Sequence, residues 1–168
     1  MKKTVLRYGS YGGITLAVLF VLGLYIGQGL DYSVREVIGY TTMILSLSFI
    51  FFAIKHQRDK ENEGIISFGS SLKIGVLISL IVALVFGVIN LVYVEIINPE
   101  FTAEYYAHMV EKYRNSLSEV DFQAKLKELE AQKELFSSTF MSTLIMFMTV
   151  FVLGFIISLI SALFLQRK

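Results

Sequence analysis

The chain has 168 residues, of which 55% are hydrophobic and 17% charged, and its formal net charge is +1. Soluble globular domains of this length usually carry a smaller apolar fraction, so the composition favours a single domain embedded in a membrane. The absence of cysteine excludes disulfides, thiolate metal sites and cysteine nucleophiles.

Four stretches carry no charged side chain except near their ends, and each is long enough to cross the hydrocarbon core of a membrane, which is about 30 Å thick. We predict transmembrane helices at about residues 9–27, 36–54, 72–95 and 140–165. The first follows a basic start, MKKTVL, but it is too long for a signal sequence and lacks an A-x-A type cleavage site, so we expect it to be retained. The predicted fold class is all-α, an integral membrane four-helix bundle forming one membrane domain over residues 1–168.

Basic residues are concentrated at the chain ends and around the loop between the second and third predicted spans. They are Lys2, Lys3, Arg7, Lys55, Arg58, Lys60, Lys73, Arg167 and Lys168. The loop after the first span contains only Arg35. Because cytoplasmic loops carry the excess of Lys and Arg, we predict that both termini and the middle loop are cytoplasmic. The first and third loops then face the opposite side.

The segment 98–139 separates the third and fourth predicted spans, and its acids outnumber its bases. Asn98 and Pro99 predict a helix start, because a proline at the first helical position loses no hydrogen bond. Ser116 and Glu119 have the spacing of a capping box, so a second helix is predicted to begin there. We therefore expect an acidic, extracytoplasmic helical hairpin inserted before the last span.

Apolar residues recur at helical spacing through this hairpin. They are Tyr106, Val110, Tyr113 and Leu117, followed by Phe122, Leu126, Leu129, Phe136 and Phe140. Lys133 interrupts the second set, and Asp121 and Lys125 stand in the favourable i, i+4 order for an ion pair. The sequence has no proline after Glu119, so it leaves open whether the second helix continues into the last span.

Small residues recur at every fourth position in three of the predicted spans. They are Gly9, Gly13, Gly23 and Gly27 in the first span, Ser71, Gly75, Ser79, Ala83 and Gly87 in the third, and Gly154, Ser158 and Ala162 in the last. Helices in lipid associate by close packing at such residues, so we predict helix-packing seams. Two alternatives stay open: the seams join the helices of one chain, or one stripe packs against another chain.

Asn90 is the strongest polar residue inside the predicted spans, away from their charged ends, and is a candidate polar contact. It either bonds a neighbouring helix or lines a path for a solute. No ionisable residue lies at mid-membrane depth, which argues against a proton-coupled carrier.

No arrangement of residues typical of a catalytic or metal site is visible. His56 and His108 fall in loops predicted on opposite sides of the membrane, so they cannot share a metal. The charged run 56–63 mixes both signs and is expected to be a solvated loop rather than a nucleic-acid site. We expect no catalytic residues, no metal and no cofactor, and we expect that the protein is not an enzyme.

Three segments together resemble a known pattern: GIISFGSSLKIG, NPEF, and VLGFIISLISALFLQRK at the end of the chain. The matching positions are Gly64, Ser67, Phe68, Gly75, Pro99, Phe101, Gly154 and the terminal basic pair. The chain resembles a family of small four-helix integral membrane proteins of Bacteroidota, domain of unknown function family forty-one ninety-nine. The resemblance implies a multi-pass protein of the bacterial inner membrane and implies no activity. Members often have prolines flanking the last span, whereas this chain has Pro99 alone.

These observations favour a multi-pass inner-membrane protein of unknown biochemical activity that acts through protein-protein association. It would be a homo-oligomer or an accessory subunit of a membrane complex. The alternative is a small-solute transporter or channel assembled from several chains. The expected partners are membrane lipids and either other membrane protein subunits or the protein itself, with no nucleic acid.

Overall fold

Seven α-helices account for most of residues 1–167, which the computed structural model describes. They are α1 (Lys2–Ile26), α2 (Tyr32–Leu47), α3 (Phe49–His56), α4 (Phe68–Val92), α5 (Phe101–Ser116), α6 (Glu119–Ser137) and α7 (Thr139–Leu165). Single π-helical turns follow α3 at Gln57–Glu61 and α4 at Tyr93–Ile97. The described residues contain no β-strand beyond one isolated bridge, so the all-α prediction is confirmed.

Four helical stretches are long and apolar enough to cross a membrane, which is consistent with a membrane protein. They are Lys2–Ile26, Tyr32–Glu61, Phe68–Ile97 and Thr139–Leu165. The last three contain the predicted spans 36–54, 72–95 and 140–165, whereas the first ends at Ile26, one residue before the predicted end at 27.

The chain divides into two compact units. The first unit comprises Met1–Gly87 and the chain from Met146 onward, and the second unit is Val88–Ile145. The first unit therefore contains α1, α2 and α3 together with most of α4 and α7. The second unit contains the pair α5 and α6 with the adjoining ends of α4 and α7.

Aliphatic side chains from every helix form the core of the first unit. The largest fully buried ones are Leu16, Leu47, Ile50, Ile54, Ile74, Ile78, Val82 and Val150. The outer faces of the same helices are also apolar, and they expose large side chains such as Ile14, Val18, Val37, Ile44, Leu84, Phe155 and Ile160. Helices that are apolar on both faces are typical of proteins in which lipid covers the outer face.

The second predicted span comprises two helices, α2 and α3, which meet at Ser48, where the backbone keeps near-helical angles of φ −60° and ψ −24°. The Ser48 hydroxyl donates a hydrogen bond of 2.6 Å to the Leu45 carbonyl. A serine bonded back to its own helix in this way frequently bends it.

The hairpin helices begin at residues other than those predicted. α5 begins at Phe101, and Pro99 lies in the turn before it. The N-cap of α6 is Ser118, whose hydroxyl accepts from the Asp121 amide at 3.3 Å and donates to the Asp121 carboxylate at 2.7 Å. The prediction of Ser116 was wrong, since Ser116 ends α5 and its hydroxyl donates to the Lys112 carbonyl.

Ser138 separates α6 from α7, so the two are not one continuous helix. Its backbone is extended, with φ −82° and ψ 116°, and its hydroxyl accepts from the amide of Met141 at 3.4 Å. This is the geometry of an N-cap, which allows a new helix to start without proline or glycine.

The basic residues of the hairpin pack on its aromatic rings. Lys133 lies 4.5 Å from the centre of the Tyr106 ring and Lys125 lies 5.4 Å from that of Tyr113. Lys133 therefore completes the packed stripe that it was predicted to interrupt. The predicted ion pair between Asp121 and Lys125 is replaced by a bond of 2.7 Å from Lys125 to Glu128, which raises the pKa of Lys125.

Candidate functional site

A close helix approach in the first unit joins α4 to α7. A Cβ atom placed on Gly75 would lie 2.6 Å from the Cβ of Ser158, and one placed on Gly154 would lie 2.6 Å from the Cβ of Ser79. Side chains do not tolerate such distances, so both helices need glycine at these positions. The pairing is reciprocal, because each helix sets its glycine against the serine of the other.

The two serines of this seam are satisfied inside their own helices. The Ser79 hydroxyl donates to the Gly75 carbonyl at 2.8 Å, and the Ser158 hydroxyl donates to the Gly154 carbonyl at 2.6 Å. The two hydroxyl oxygens lie 3.4 Å apart, and both residues are fully buried. The seam therefore buries polar atoms in apolar surroundings without leaving them unbonded.

The other small residues of these two stripes are also buried. They are Ser71, Ala83 and Gly87 in α4 and Ala162 in α7. Ser71 differs from the other serines, because its hydroxyl has no hydrogen-bond partner among the described residues.

The glycines at the start of α1 face α4 and α2 of the same chain. A Cβ at Gly9 would lie 3.3 Å from that of Ile81, and a Cβ at Gly13 would lie 3.0 Å from a methyl of Val85. Sequence reasoning missed Gly12, where a Cβ would lie 2.9 Å from the backbone carbonyl of Ser46. The doubled glycine in GSYGG was the available signal, because it puts small residues on two faces of one helix turn.

The second pair of glycines in α1 makes looser contacts. A Cβ at Gly23 would lie 3.4 Å from a methyl of Ile38, an ordinary contact distance. Gly27 follows the last residue of α1 and lies beside the stem of Arg35.

Asn90 lies in a small polar group of the second unit. Its side-chain nitrogen lies 3.4 Å from the hydroxyl oxygens of Ser142 and Thr143. In the same unit Thr139 donates a short hydrogen bond to Glu95. The Asn90 amide is thus engaged with α7, which is one of the two roles considered for it.

A buried polar cluster that the sequence did not predict lies where α3 ends. The Thr4 hydroxyl donates to the Gln57 side-chain oxygen at 2.6 Å, and the Gln57 nitrogen donates to the Asn62 oxygen at 3.1 Å. Thr4 is 4% exposed and Gln57 is 6% exposed. The expectation of a solvated loop over 56–63 therefore fails for Gln57 and Arg58, whereas residues 59–63 are exposed.

Arg58 belongs to the same cluster and is 8% exposed. Its guanidinium donates two hydrogen bonds to Asp59, at 2.6 and 3.1 Å, and one of 3.4 Å to the Leu165 carbonyl at the end of α7. Ile66 and Arg167 exchange two backbone hydrogen bonds, at 3.0 and 2.9 Å. The loop after α3 thereby holds the end of α7. Gln57 and Arg58, both in the π-helical turn, are buried in the first unit.

The two histidines lie in different units. His56 lies 3.9 Å from Glu61 and beside the Tyr8 ring in the first unit, while His108 lies in α5 of the second. Within residues 1–167 no group of three or more histidine or acidic side chains could hold a metal ion.

Comparison with known proteins gives one kind of match. Searches of curated proteins and of solved structures find none. A family model described as Protein of unknown function (DUF4199) matches residues 7–167, which is nearly the whole chain. The resemblance expected from the sequence is therefore confirmed, and the chain belongs to the DUF4199 family of proteins of unknown function.

Proposed function

We propose that this protein is a multi-pass protein of a bacterial inner membrane that acts through association, as a homo-oligomer or as an accessory subunit. Both termini lie in the cytoplasm, and the α5–α6 hairpin stands on the periplasmic side. The positive-inside distribution of Lys and Arg supports this orientation.

The hairpin is the observation that carries the proposal. Phe122 and Leu129 are buried within the second unit, and cation-π contacts fix the helix pair. A helix pair that its own contacts hold rigid is suited to contact another protein. At its turn Val120 is 81% exposed, with Leu117 also exposed beside it. An exposed apolar tip on an acidic helix pair is a candidate contact point.

The small-residue seams give this proposal less support than the sequence suggested. Gly9, Gly12 and Gly13 meet other helices of this chain, and so do Gly75 and Gly154. The proposal therefore rests on the hairpin rather than on a surplus stripe.

Crosslinking in cells tests the association. A photo-reactive amino acid is placed at Val120, and the control carries it at Val18, an exposed residue of α1. We expect an adduct of defined mass from position 120 only, because protein rather than lipid would cover the hairpin tip. A multiple of the chain mass indicates a homo-oligomer. Absence of an adduct, together with a monomer in mild detergent, would contradict association.

A transporter or channel assembled from several chains is the alternative, and the polar group of Asn90, Ser142 and Thr143 favours it. Flux of small solutes into vesicles containing the purified protein separates the two functions. If Asn90→Ala abolished the flux and Leu91→Ala left it intact, transport rather than association would be the function of the protein.

A further inference from the structure

Basic side chains from three segments of the first unit come together at one place, which we call the basic end. The Thr4–Gln57 hydrogen bond joins the start of α1 to the π-helical turn after α3. The backbone pairing of Ile66 with Arg167 joins the end of α7 to the same loop. The exposed bases of the basic end are Lys2, Lys3, Lys55, Lys60 and Arg167.

These bases are available to an external anion. None of them forms a salt bridge with a carboxylate among the described residues. The nearest acid, Asp59, is held by Arg58 and also interacts electrostatically with Lys55 and Arg167. The loop contributes two more acids, Glu61 and Glu63, but the exposed bases outnumber these acids, so the basic end keeps an excess of positive charge.

Each group of bases stands about one helical turn from a large exposed apolar side chain. Leu6 follows the two N-terminal lysines and is 53% exposed, and Phe52 precedes Lys55 and is 52% exposed. Phe164 precedes Arg167 and is 80% exposed. This succession of apolar surface and then positive charge matches the boundary between acyl chains and headgroups, where long basic side chains extend toward the phosphates.

We propose that the basic end is a binding site for anionic phospholipid headgroups. Lys55 and Arg167 contact the headgroup phosphate from two segments that the Arg58 loop holds together, while Phe52 and Phe164 contact the acyl chains. The arrangement favours a lipid with net negative charge over a zwitterionic one, because the exposed bases form no salt bridge with a carboxylate within residues 1–167 and outnumber the acids of the loop. The site does not depend on the protein having a protein partner, so it goes beyond the proposed association.

Native mass spectrometry of the purified full-length protein in dodecyl maltoside tests the site. The protein is titrated with phosphatidylglycerol and, separately, with phosphatidylcholine. We expect phosphatidylglycerol to bind more tightly. We also expect the double variant Lys55→Gln/Arg167→Gln to bind it roughly 30-fold more weakly, since each basic residue near a headgroup contributes about a fivefold share.

Two control variants make the result specific. Lys112→Gln/Lys127→Gln removes the same charge from the hairpin and should leave phosphatidylglycerol binding unchanged. Lys55→Arg/Arg167→Lys keeps the charge and should preserve the preference, and thermal melting of each variant shows whether it is folded.

The proposal fails if the wild-type protein binds the two lipids equally. It also fails if the hairpin variant loses as much binding as the Lys55/Arg167 variant. Inorganic phosphate provides the last arm: if it displaces phosphatidylglycerol at equal concentration, the ligand is free phosphate and not a lipid.

Discussion

Gly75 and Gly39 are both helical glycines, yet their surroundings differ completely. A Cβ at Gly75 would overlap Ser158, whereas a Cβ at Gly39 would meet no heavy atom within 4 Å. Alanine loses less conformational freedom on folding than glycine does, so it stabilises a helix wherever space allows. Comparing alanine substitutions at the two positions therefore separates the effect of helix propensity on stability from the effect of close packing.

We expect Gly75→Ala to lower the free energy of unfolding in detergent by about 1–3 kcal/mol, because the added methyl forces α4 and α7 apart. Gly39→Ala should be neutral or should stabilise by roughly 0.5–1 kcal/mol. The double variant Gly75→Ala/Ser158→Gly should recover part of the loss. Equal melting of the two single variants would mean that the approach at Gly75 is not close.

Thr4 tests the buried cluster at the same scale. Thr4→Val keeps the shape of the side chain but leaves the Gln57 oxygen buried without its donor, and we expect a loss of about 1–3 kcal/mol in unfolding free energy. Thr41→Val is the control, because Thr41 is exposed on α2. A loss no larger than that of the control would show that water satisfies Gln57.

At the scale of elements, the helices followed from apolar periodicity, but their boundaries did not. The run SLSEVD offers two capping pairs, Ser116 with Glu119 and Ser118 with Asp121, and local spacing does not distinguish them. The sequence left the break at Ser138 undecided for a related reason. Ser137, Ser138 and Thr139 are consecutive hydroxyl residues that compete for the helix backbone, and this signal is weaker than proline or glycine.

Ser118→Ala should weaken the start of α6 by about 1 kcal/mol, since it removes the acceptor for the Asp121 amide. Hydrogen exchange of that amide measures the effect directly and should become faster. Ser116→Ala should leave the same amide unchanged. If the Asp121 amide instead exchanged faster in the Ser116 variant, Ser116 would be the N-cap of α6, as the sequence predicted.

At the scale of the whole molecule, the stripes of small residues were visible in the sequence but their partners were not. Several stripes permit many pairings, and only the folded chain shows that Gly75 meets Ser158. The inward turn of Arg58 was missed because a charged run is ordinarily solvated. Its burial depends on the Leu165 carbonyl, which lies far away in the sequence.

Arg58→Ala should lower the melting temperature of the first unit, because it removes a buried side chain together with its hydrogen bonds to Asp59 and to the Leu165 carbonyl. Lys60→Ala, in the same π-helical turn but exposed, should cost much less. Thermal melting in neutral detergent compares the two. A similar melting temperature for both variants would show that the Arg58 contacts contribute little to stability.

The reciprocal seam has a consequence for how this family can vary over evolution. Each glycine leaves only enough room for the serine opposite it, so the volume at position 75 limits the volume at position 158, and position 154 limits position 79 in the same way. A relative with a larger residue at one position should carry a smaller one at its partner. The two pairs should therefore covary across the family.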